Sequence, residues 1–511
     1  MADPQPAPKG ARPWILAATI LGSSLAFIDG STVNVALPAL QRSLGATVTD
    51  IQWVVNAYTL FLASLILFGG SLGDHFGRKR IFALGVVVFA LASAWCGLAP
   101  NTGQLILARA VQGVGGALLV PGSLAIISAT FPDEERGQAI GLWSGFSAIT
   151  SAVGPVLGGW LIDTLSWRWI FFINLPVALL VVFFLLRVPE SRDPEARRLD
   201  LGGAALVTLG LGALTYSLLR AGERGLGDSG VLLTLVLGIV FLVAFVGLEA
   251  RLKEPMVPLG LFASSTFSGT NLLTLLLYGA LAGALFFLPL NLIQIQGYSA
   301  TAAGAALLPF VLLLSFLSRW AGGLITRYGA RLPLTVGPLV VALAFLLYML
   351  PGIGGSYWLT FFPPAVVLGL GMTLVVAPLT TTVMGAVPEQ YAGTASGINN
   401  AASRVAGLLA IALFGLLMLA VFSTALERGL GGLELPTTAQ EAVLAQRTDL
   451  ANITLPEGLD ATQKERVTEV VGTAYLTGFR VVMALSALLA VLSSGIAWRM
   501  VEGKDAESGG L

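Results

Sequence analysis

Residues Trp14–Pro38 read WILAATILGSSLAFIDGSTVNVALP, a run of twenty-five residues with a single ionisable side chain, Asp29. A helix of that length crosses the roughly 30 Å hydrocarbon layer of a bilayer. A carboxylate well inside such a span costs about 2.5–3.5 kcal/mol on insertion scales, so it faces a protein interior or a water-filled cavity. Asp29 is then either a structural acid neutralised by a partner or a proton, or an acid that binds and releases a proton during work. The second reading is favoured.

The same texture fills the chain. Of 511 residues, 56% are hydrophobic and 11% charged, and the mean hydropathy is +0.85. Soluble domains carry about 25% charged residues, so this is an all-α polytopic membrane protein. Fourteen transmembrane helices are expected, near 14–36, 51–72, 81–99, 104–126, 138–161, 168–187, 200–220, 230–250, 266–292, 300–323, 332–350, 357–386, 394–423 and 472–499. The apolar runs are continuous and lack two-residue alternation, which argues against barrel strands. The formal net charge is zero without a basic block, so no nucleic-acid partner is expected. One cysteine, Cys96, excludes an intramolecular disulfide and a multi-thiolate metal site. One histidine, His75, excludes a histidine-rich metal site. No catalytic dyad and no Walker-type GxxxxGK[ST] motif is present, so neither an enzyme, nor ATP drive, nor a cofactor is expected.

An internal repeat sets the architecture. Gly113, Gly115, Pro132, Gly137 and Gly141 recur 256 residues later as Gly369, Gly371, Pro388, Gly393 and Gly397. Gly70, Leu72 and Gly77 recur 252 residues later as Gly322, Leu324 and Gly329. The first six spans use fewer residues than this offset, and two further spans fill the gap. The plan is two six-helix bundles in parallel topology with two extra helices between them and a site at their interface. Residues 14–187 form the N-terminal bundle, 188–260 the inserted pair, and 261–423 with 472–499 the C-terminal bundle. Residues 1–13 and 500–511 are tails, and 424–471 is a mostly polar, solvated loop on the outer side, with a short helix expected near 461–471 and a lid or partner-binding role as the alternative. Lys and Arg set the orientation. Sixteen lie in connections on the side of the N-terminus, whereas the short loops opposite carry only Arg42, Arg168, Arg220 and Arg224. Both termini are therefore expected in the cytoplasm.

Three constellations stand out. Asp29 and Arg109 lie at similar depth on the first and fourth spans, so a pair or shared water network is open to them. Arginine does not deprotonate in proteins, so it would hold Asp29 ionised until something changed the balance. GGSLGDHFGRKR (Gly69–Arg80) is a short inner loop in which Gly77 permits a tight turn, Asp74 suits a helix N-terminus or an arginine, and Arg78 stays at the aqueous interface. In GFSAITSAVGPVLGGWL (Gly145–Leu161), Gly154, Gly158 and Gly159 strip one helix face for close packing, and Pro155 kinks it.

These stretches, with FIDGSTVNVALP, LILARAVQGVGGA (Leu105–Ala117) and WRWIFFINLP (Trp167–Pro176), resemble the marker motifs of the major facilitator superfamily, and within it the fourteen-span drug:proton antiporters. The resemblance implies export from the cytoplasm by alternating access, driven by inward proton flow. It assigns proton coupling to Asp29 and Arg109, gating to Asp74, Gly77 and Arg78, and the antiporter motif to Gly154, Pro155, Gly158 and Gly159. The chain departs from the pattern in three places: His75 stands where arginine is common, Thr326 stands at the acid position of the second loop copy, and span ten has no acid, which counts against dication export.

Polar residues expected in a central, mostly apolar cavity are Asn34, Trp53, Asn56, Tyr58, Gln112, Trp143, Asn271, Tyr278, Asn291, Gln294, Asn399 and Asn400. Arg404 joins them from SGINNAASRVAG (Ser396–Gly407), where no acid shares its half. Three roles are open to it: reaching Asp29 across the cavity, attracting an anionic substrate group, or structural pairing with backbone carbonyls. The function expected is proton-coupled multidrug efflux of hydrophobic or amphipathic molecules across a bacterial inner membrane, with antibiotic resistance as its outcome. Its partners are small-molecule substrates, protons and the lipid bilayer, and a periplasmic adaptor is left open. Export of one endogenous metabolite, siderophore, lipid or antibiotic is the alternative; a proton-driven importer and a membrane sensor are less favoured.

Overall fold

The computed structural model describes residues 9–193, 199–388 and 391–503. The outer parts of both expected tails, and the basic residues Arg197 and Arg198, lie outside that range. Every regular element among the described residues is helical. The first bundle comprises α1 (Arg12–Leu44), α2 (Val48–Phe76), α3 (Arg78–Leu98), α4 (Thr102–Thr130), α5 (Asp133–Thr164), α6 (Trp169–Phe172) and α7 (Asn174–Leu185). Then come α8 (Leu201–Arg224) and α9 (Ser229–Glu249). The second bundle follows as α10 (Ser265–Leu290), α11 (Ala300–Ala305), α12 (Leu308–Gly322), α13 (Leu324–Tyr328), α14 (Arg331–Tyr348), α15 (Tyr357–Thr360), α16 (Phe362–Gly385), α17 (Ala392–Gly431), α18 (Thr437–Ala445) and α19 (Ala461–Met500).

Helix starts follow local chemistry. Thr47 and Asp50 form a reciprocal capping box on α2, and Asp460 and Gln463 form another on α19. Asn101, Asp200, Asp228 and Ser264 cap α4, α8, α9 and α10. Twelve described helical segments are long and apolar enough to cross a bilayer, against the fourteen expected. Of the other two expected spans, 138–161 runs inside the 32-residue α5. The other, 168–187, is a shorter apolar helix, Trp169–Leu185, about 25 Å long.

The repeat read from glycine spacing corresponds to matching helix crossings. A Cβ on Gly115 would sit 2.6 Å from the Phe89 nitrogen and 3.0 Å from the Gly85 carbonyl oxygen of α3. A Cβ on Gly371 would sit 2.8 Å from the Val341 nitrogen and 3.1 Å from the Gly337 carbonyl oxygen of α14. Gly113 likewise abuts Tyr58 and Phe61 of α2, and Gly369 abuts Phe310 and Leu313 of α12. Each pair of partners is itself 252 residues apart. Small residues recur because two backbones can approach this closely only without side chains between them.

The bundles meet along α5 against α11 and α2 against α17, two contacts related by the same repeat. In the first, Gly159 lies against the Ala300 carbonyl and Gly304 against the Pro155 carbonyl. In the second, Gln52 Nε2 donates to the Ile411 carbonyl at 2.8 Å. Helix α8 packs on both α2 and α17 at this seam, and α9 packs chiefly on α8. At the end of α9, Glu249 is buried, and one carboxylate oxygen accepts from the Val257 amide at 2.8 Å. Asp200 and Glu249 converge over Gly203, which ties the α8–α9 hairpin to the linker that follows.

One expectation needs correcting. Residues 424–471 are not simply a solvated loop. Helix α17 continues to Gly431, α19 already starts at Ala461, and α18 lies between them. Val443, Leu450 and Val467 are buried within the same apolar core as the second bundle. Acidic side chains hid this packing, because they cover one side of helices whose other side is apolar.

Candidate transport site

Asp29 and Arg109 touch. Asp29 lies mid-way along α1 and Arg109 in the second turn of α4, and Arg109 Nη1 donates to Asp29 Oδ2 at 2.5 Å. The two side chains are 0% and 1% exposed, so the pair is closed to solvent. Gln112, one turn after Arg109, completes it: its Nε2 donates to Asp29 Oδ1 at 2.9 Å, and its Oε1 accepts from Arg109 Nη1 at 2.7 Å. Arg109 Nε donates to the Val54 carbonyl at 3.1 Å. Its guanidinium lies 4.3 Å from the Tyr58 ring centroid, with Phe171 at 5.9 Å, a geometry that favours a desolvated cation. Both oxygens of Asp29 thus have partners, and the arginine cannot surrender its proton. Any change of charge in this cluster falls on Asp29, and it leaves Arg109 without its counter-ion. Sequence reading set Gln112 among cavity residues; its spacing of three from Arg109 on one helix was the available signal for the cluster.

Around this cluster are polar groups without partners. Asn56 is fully buried, and neither amide atom has a hydrogen bond. The Tyr58 hydroxyl is also buried and unpartnered, within Coulombic range of Asp29, Arg109 and Arg404. On α1, Phe27, Gly30 and Asn34 share one incompletely covered face, and a Cβ on Gly30 would meet nothing within 4 Å. Trp143 of α5 closes part of that face, its Nε1 donating to Ser23 Oγ at 3.0 Å and its ring edge-on to Phe27. From the second bundle, α17 brings the half-buried Arg404 and the exposed Asn400, joined by an Nε–Oδ1 hydrogen bond of 3.1 Å.

The other expected cavity residues lie apart from this cluster. Asn399 Nδ2 donates to Thr274 Oγ1 at 2.8 Å and to Asn271 Oδ1 at 3.2 Å, pinning α17 to α10. Asn271 Nδ2 is spent on the Phe267 carbonyl. Tyr278 is half-buried on α10. Trp53 stacks 6.3 Å from Tyr216 of α8, towards the inserted pair. Gln294 donates to Gln41 Oε1 at 2.9 Å where the bundles meet, and Asn291 is buried nearby with its Nδ2 unpartnered.

The loop motif is latched to itself and to the segment that follows α7. Asp74 accepts from Arg78 Nε at 2.8 Å, and the Arg78 amide donates to the Ser191 carbonyl at 2.8 Å. Gly77 has φ +111°, and the Glu190 carboxylate occupies the space a Cβ would need. Glu190 also accepts from the Lys79 amide at 3.0 Å, capping α3. Nothing in the sequence distinguished Glu190. His75 is exposed. Gly154 and Gly158 lie against Ser31 and Thr32 of α1, with Thr32 Oγ1 donating to the Gly154 carbonyl at 3.1 Å, while Gly159 packs on α11. Pro155 lies within α5 and faces Gly304 across the seam.

A sequence model of the Major Facilitator Superfamily matches residues 19–411. The chain belongs to the major facilitator superfamily. It is a multi-pass membrane protein of a transporter family, not an enzyme, and such transporters need no cofactor. It is 36% identical over 438 residues to the multidrug resistance protein Stp of Mycobacterium tuberculosis, covering 84% of this chain and 80% of that one. It is 39% identical over 412 residues to a puromycin resistance protein of Streptomyces alboniger, covering 80% and 82%. With the tetracenomycin C resistance and export protein of Streptomyces glaucescens it shares 31% identity over 496 residues, 95% of this chain and 91% of that one. In fold it is similar to a bacterial homologue of the lysosomal transporter Spinster, with a TM-score of 0.67 at 19% identity, covering 98% and 100% of the two chains.

Proposed function

We propose that this superfamily member is a multidrug exporter that couples the outward movement of amphipathic small molecules to inward proton flow. The relatives named for multidrug, puromycin and tetracenomycin C resistance support efflux. The buried Asp29–Arg109–Gln112 cluster carries the coupling, because both oxygens of a buried mid-span carboxyl are bonded to partners that its protonation would release. The proton competes with Arg109 and Gln112 for Asp29, and its arrival favours one rocking state of the two bundles over the other. In this reading the chain crosses a bacterial cytoplasmic membrane fourteen times, with α5 and the α6–α7 pair as the fifth and sixth crossings. Bundles 14–187 and 261–423 with 472–499 flank the inserted pair, and both termini face the cytoplasm. The end where Gln294 donates to Gln41 and the Ala300 and Thr301 amides donate to Asp163 is then the outer one. The loop at Asp74, Gly77 and Arg78 gates the other side.

Everted vesicles with an imposed pH gradient test this reading. Wild type accumulates a fluorescent amphipathic dye, and collapse of the gradient abolishes accumulation. Asp29→Asn retains dye binding but loses gradient-driven accumulation at least tenfold, because an amide cannot cycle a proton. Equal accumulation by both proteins with the gradient collapsed refutes the coupling. A relative named for the resistance to and export of one compound favours a second reading, dedicated export of a single product of the host; a panel of unrelated dyes then gives transport of none or one.

A further inference from the structure

The substrate class follows from which charge at mid-membrane is left over, and this inference rests on the export reading above. Asp29 and Arg109 cancel, and both Asp29 oxygens are taken, so Arg404 does not reach Asp29 in this conformer. Arg404 stands about 18 Å along α17 from its start at Ala392. Its Nε donates to Asn400 Oδ1, one turn back, and among the described residues it forms no ion pair with a carboxylate. A guanidinium offers five N–H donors, and among the described residues only the Nε hydrogen is taken, by Asn400. Of the helices packed on α17, α10 and α16 carry no Asp or Glu, those of α2 are confined to its ends at Asp50 and Asp74, that of α8 is at its last turn, Glu223, and those of α19 are in its first turns, Glu465 and Glu469. Beyond Arg404, α17 carries no acid before Glu427, at its far end. The Tyr58 hydroxyl, buried and without a partner, lies within Coulombic range of the same guanidinium.

We infer that Arg404 is a specificity residue that selects substrates bearing an anionic head, such as a carboxylate, phenolate or sulfonate, on an apolar body. Fork-shaped guanidinium donors match such oxygen pairs bidentately, and a half-buried site strengthens the contact relative to water. A cationic head placed there meets uncompensated positive charge. Protonation of Asp29 would leave Arg109 without its counter-ion and add to that positive potential. Proton and anion therefore do not displace one another by charge, and release depends on the rocking of the bundles.

Three probes with one apolar body test this: 1-pyrenebutyrate, 1-pyrenebutanol and a pyrenebutyl trimethylammonium, titrated by fluorescence into the full-length protein in zwitterionic nanodiscs. Wild type binds the butyrate at least about tenfold more tightly than the ammonium. In R404Q the ratio of butyrate to butanol affinity falls by about tenfold, and R404K restores part of it. Equal or tighter binding of the ammonium by wild type overturns the inference without any variant. A uniform loss for all three probes in R404Q, with R404K behaving the same way, overturns it too, because it marks Arg404 as structural. Gradient-driven accumulation of the butanol in everted vesicles separates this from the export reading. Accumulation without charge preference sinks the anion inference alone, whereas charge-selective binding without any accumulation sinks export alone.

Discussion

The two bundles share their backbone crossings but not their electrostatics. At the offsets that relate Gly85 to Gly337 and Gly113 to Gly369, the second bundle places Leu281 where the first has Asp29, Ala365 where it has Arg109 and Leu368 where it has Gln112. Conversely, Arg404 on α17 corresponds to Ala148 on α5. The first bundle therefore holds a closed ion pair, whereas Arg404 in the second is bonded to Asn400 and to no acid among the described residues. A repeated fold preserves what close helix packing needs and leaves charge free to diverge, since a side chain at a crossing is constrained by its neighbours' backbone and one facing a cavity is not. On the proposed reading, proton chemistry falls to one half and substrate selection to the other.

The largest expected effect comes from breaking the pair. Arg109→Ala leaves a buried, unpaired carboxylate on Asp29 and costs about 3–5 kcal/mol, read as a lower unfolding temperature of the purified protein. Arg109→Ala with Asp29→Asn recovers most of that loss, whereas Leu281→Met, at the matching site of the other half, costs under about 1.5 kcal/mol. No recovery in the double variant would mean that Arg109 packs rather than neutralises.

Next come the shared crossings. Gly115→Ala and Gly371→Ala each overpack a backbone contact of 2.6–2.8 Å, costing about 1–3 kcal/mol, and the two costs agree within about 1 kcal/mol. Thermal unfolding of both variants checks this, and a large difference would break the equivalence of the halves. The loop copies sharpen the contrast. Gly77 and Gly329 have φ of +111° and +73°, so alanine at either is strained by about 1 kcal/mol. Gly77→Ala additionally displaces the Glu190 carboxylate from the α3 cap, and Glu190→Ala in the Gly77→Ala background adds less than it does alone.

The smallest effect concerns the cap at the far end. Burial, aided by Asp50 nearby, raises the Asp449 carboxyl above the ordinary range. Such a group holds its proton more tightly when the cap is docked than when it is loose. Docking therefore strengthens as pH falls through the carboxylate range and weakens as pH rises above it. Asp449→Asn removes that dependence and raises the unfolding temperature at neutral pH by about 1 °C, the half-exposed site limiting the gain.

Much of this was legible in one dimension. Long uninterrupted apolar runs dictate helices in a bilayer, because no other local structure satisfies its own backbone there. Glycine spacing exposed the repeat because each glycine marks a crossing fixed by steric contact. The lone acid in Trp14–Pro38 announced itself by its cost. What the sequence left open was partnership across distance. That Asp29 meets Arg109 and Gln112, eighty or more residues away, was decided by the packing of α1 on α4. That Glu190 caps α3, that residues 424–471 pack as a cap, and that Arg404 meets no acid among the described residues were likewise tertiary outcomes. Local propensity and hydropathy act within a few turns of chain, whereas the pairing of charges depends on which helices the folded bundles bring side by side.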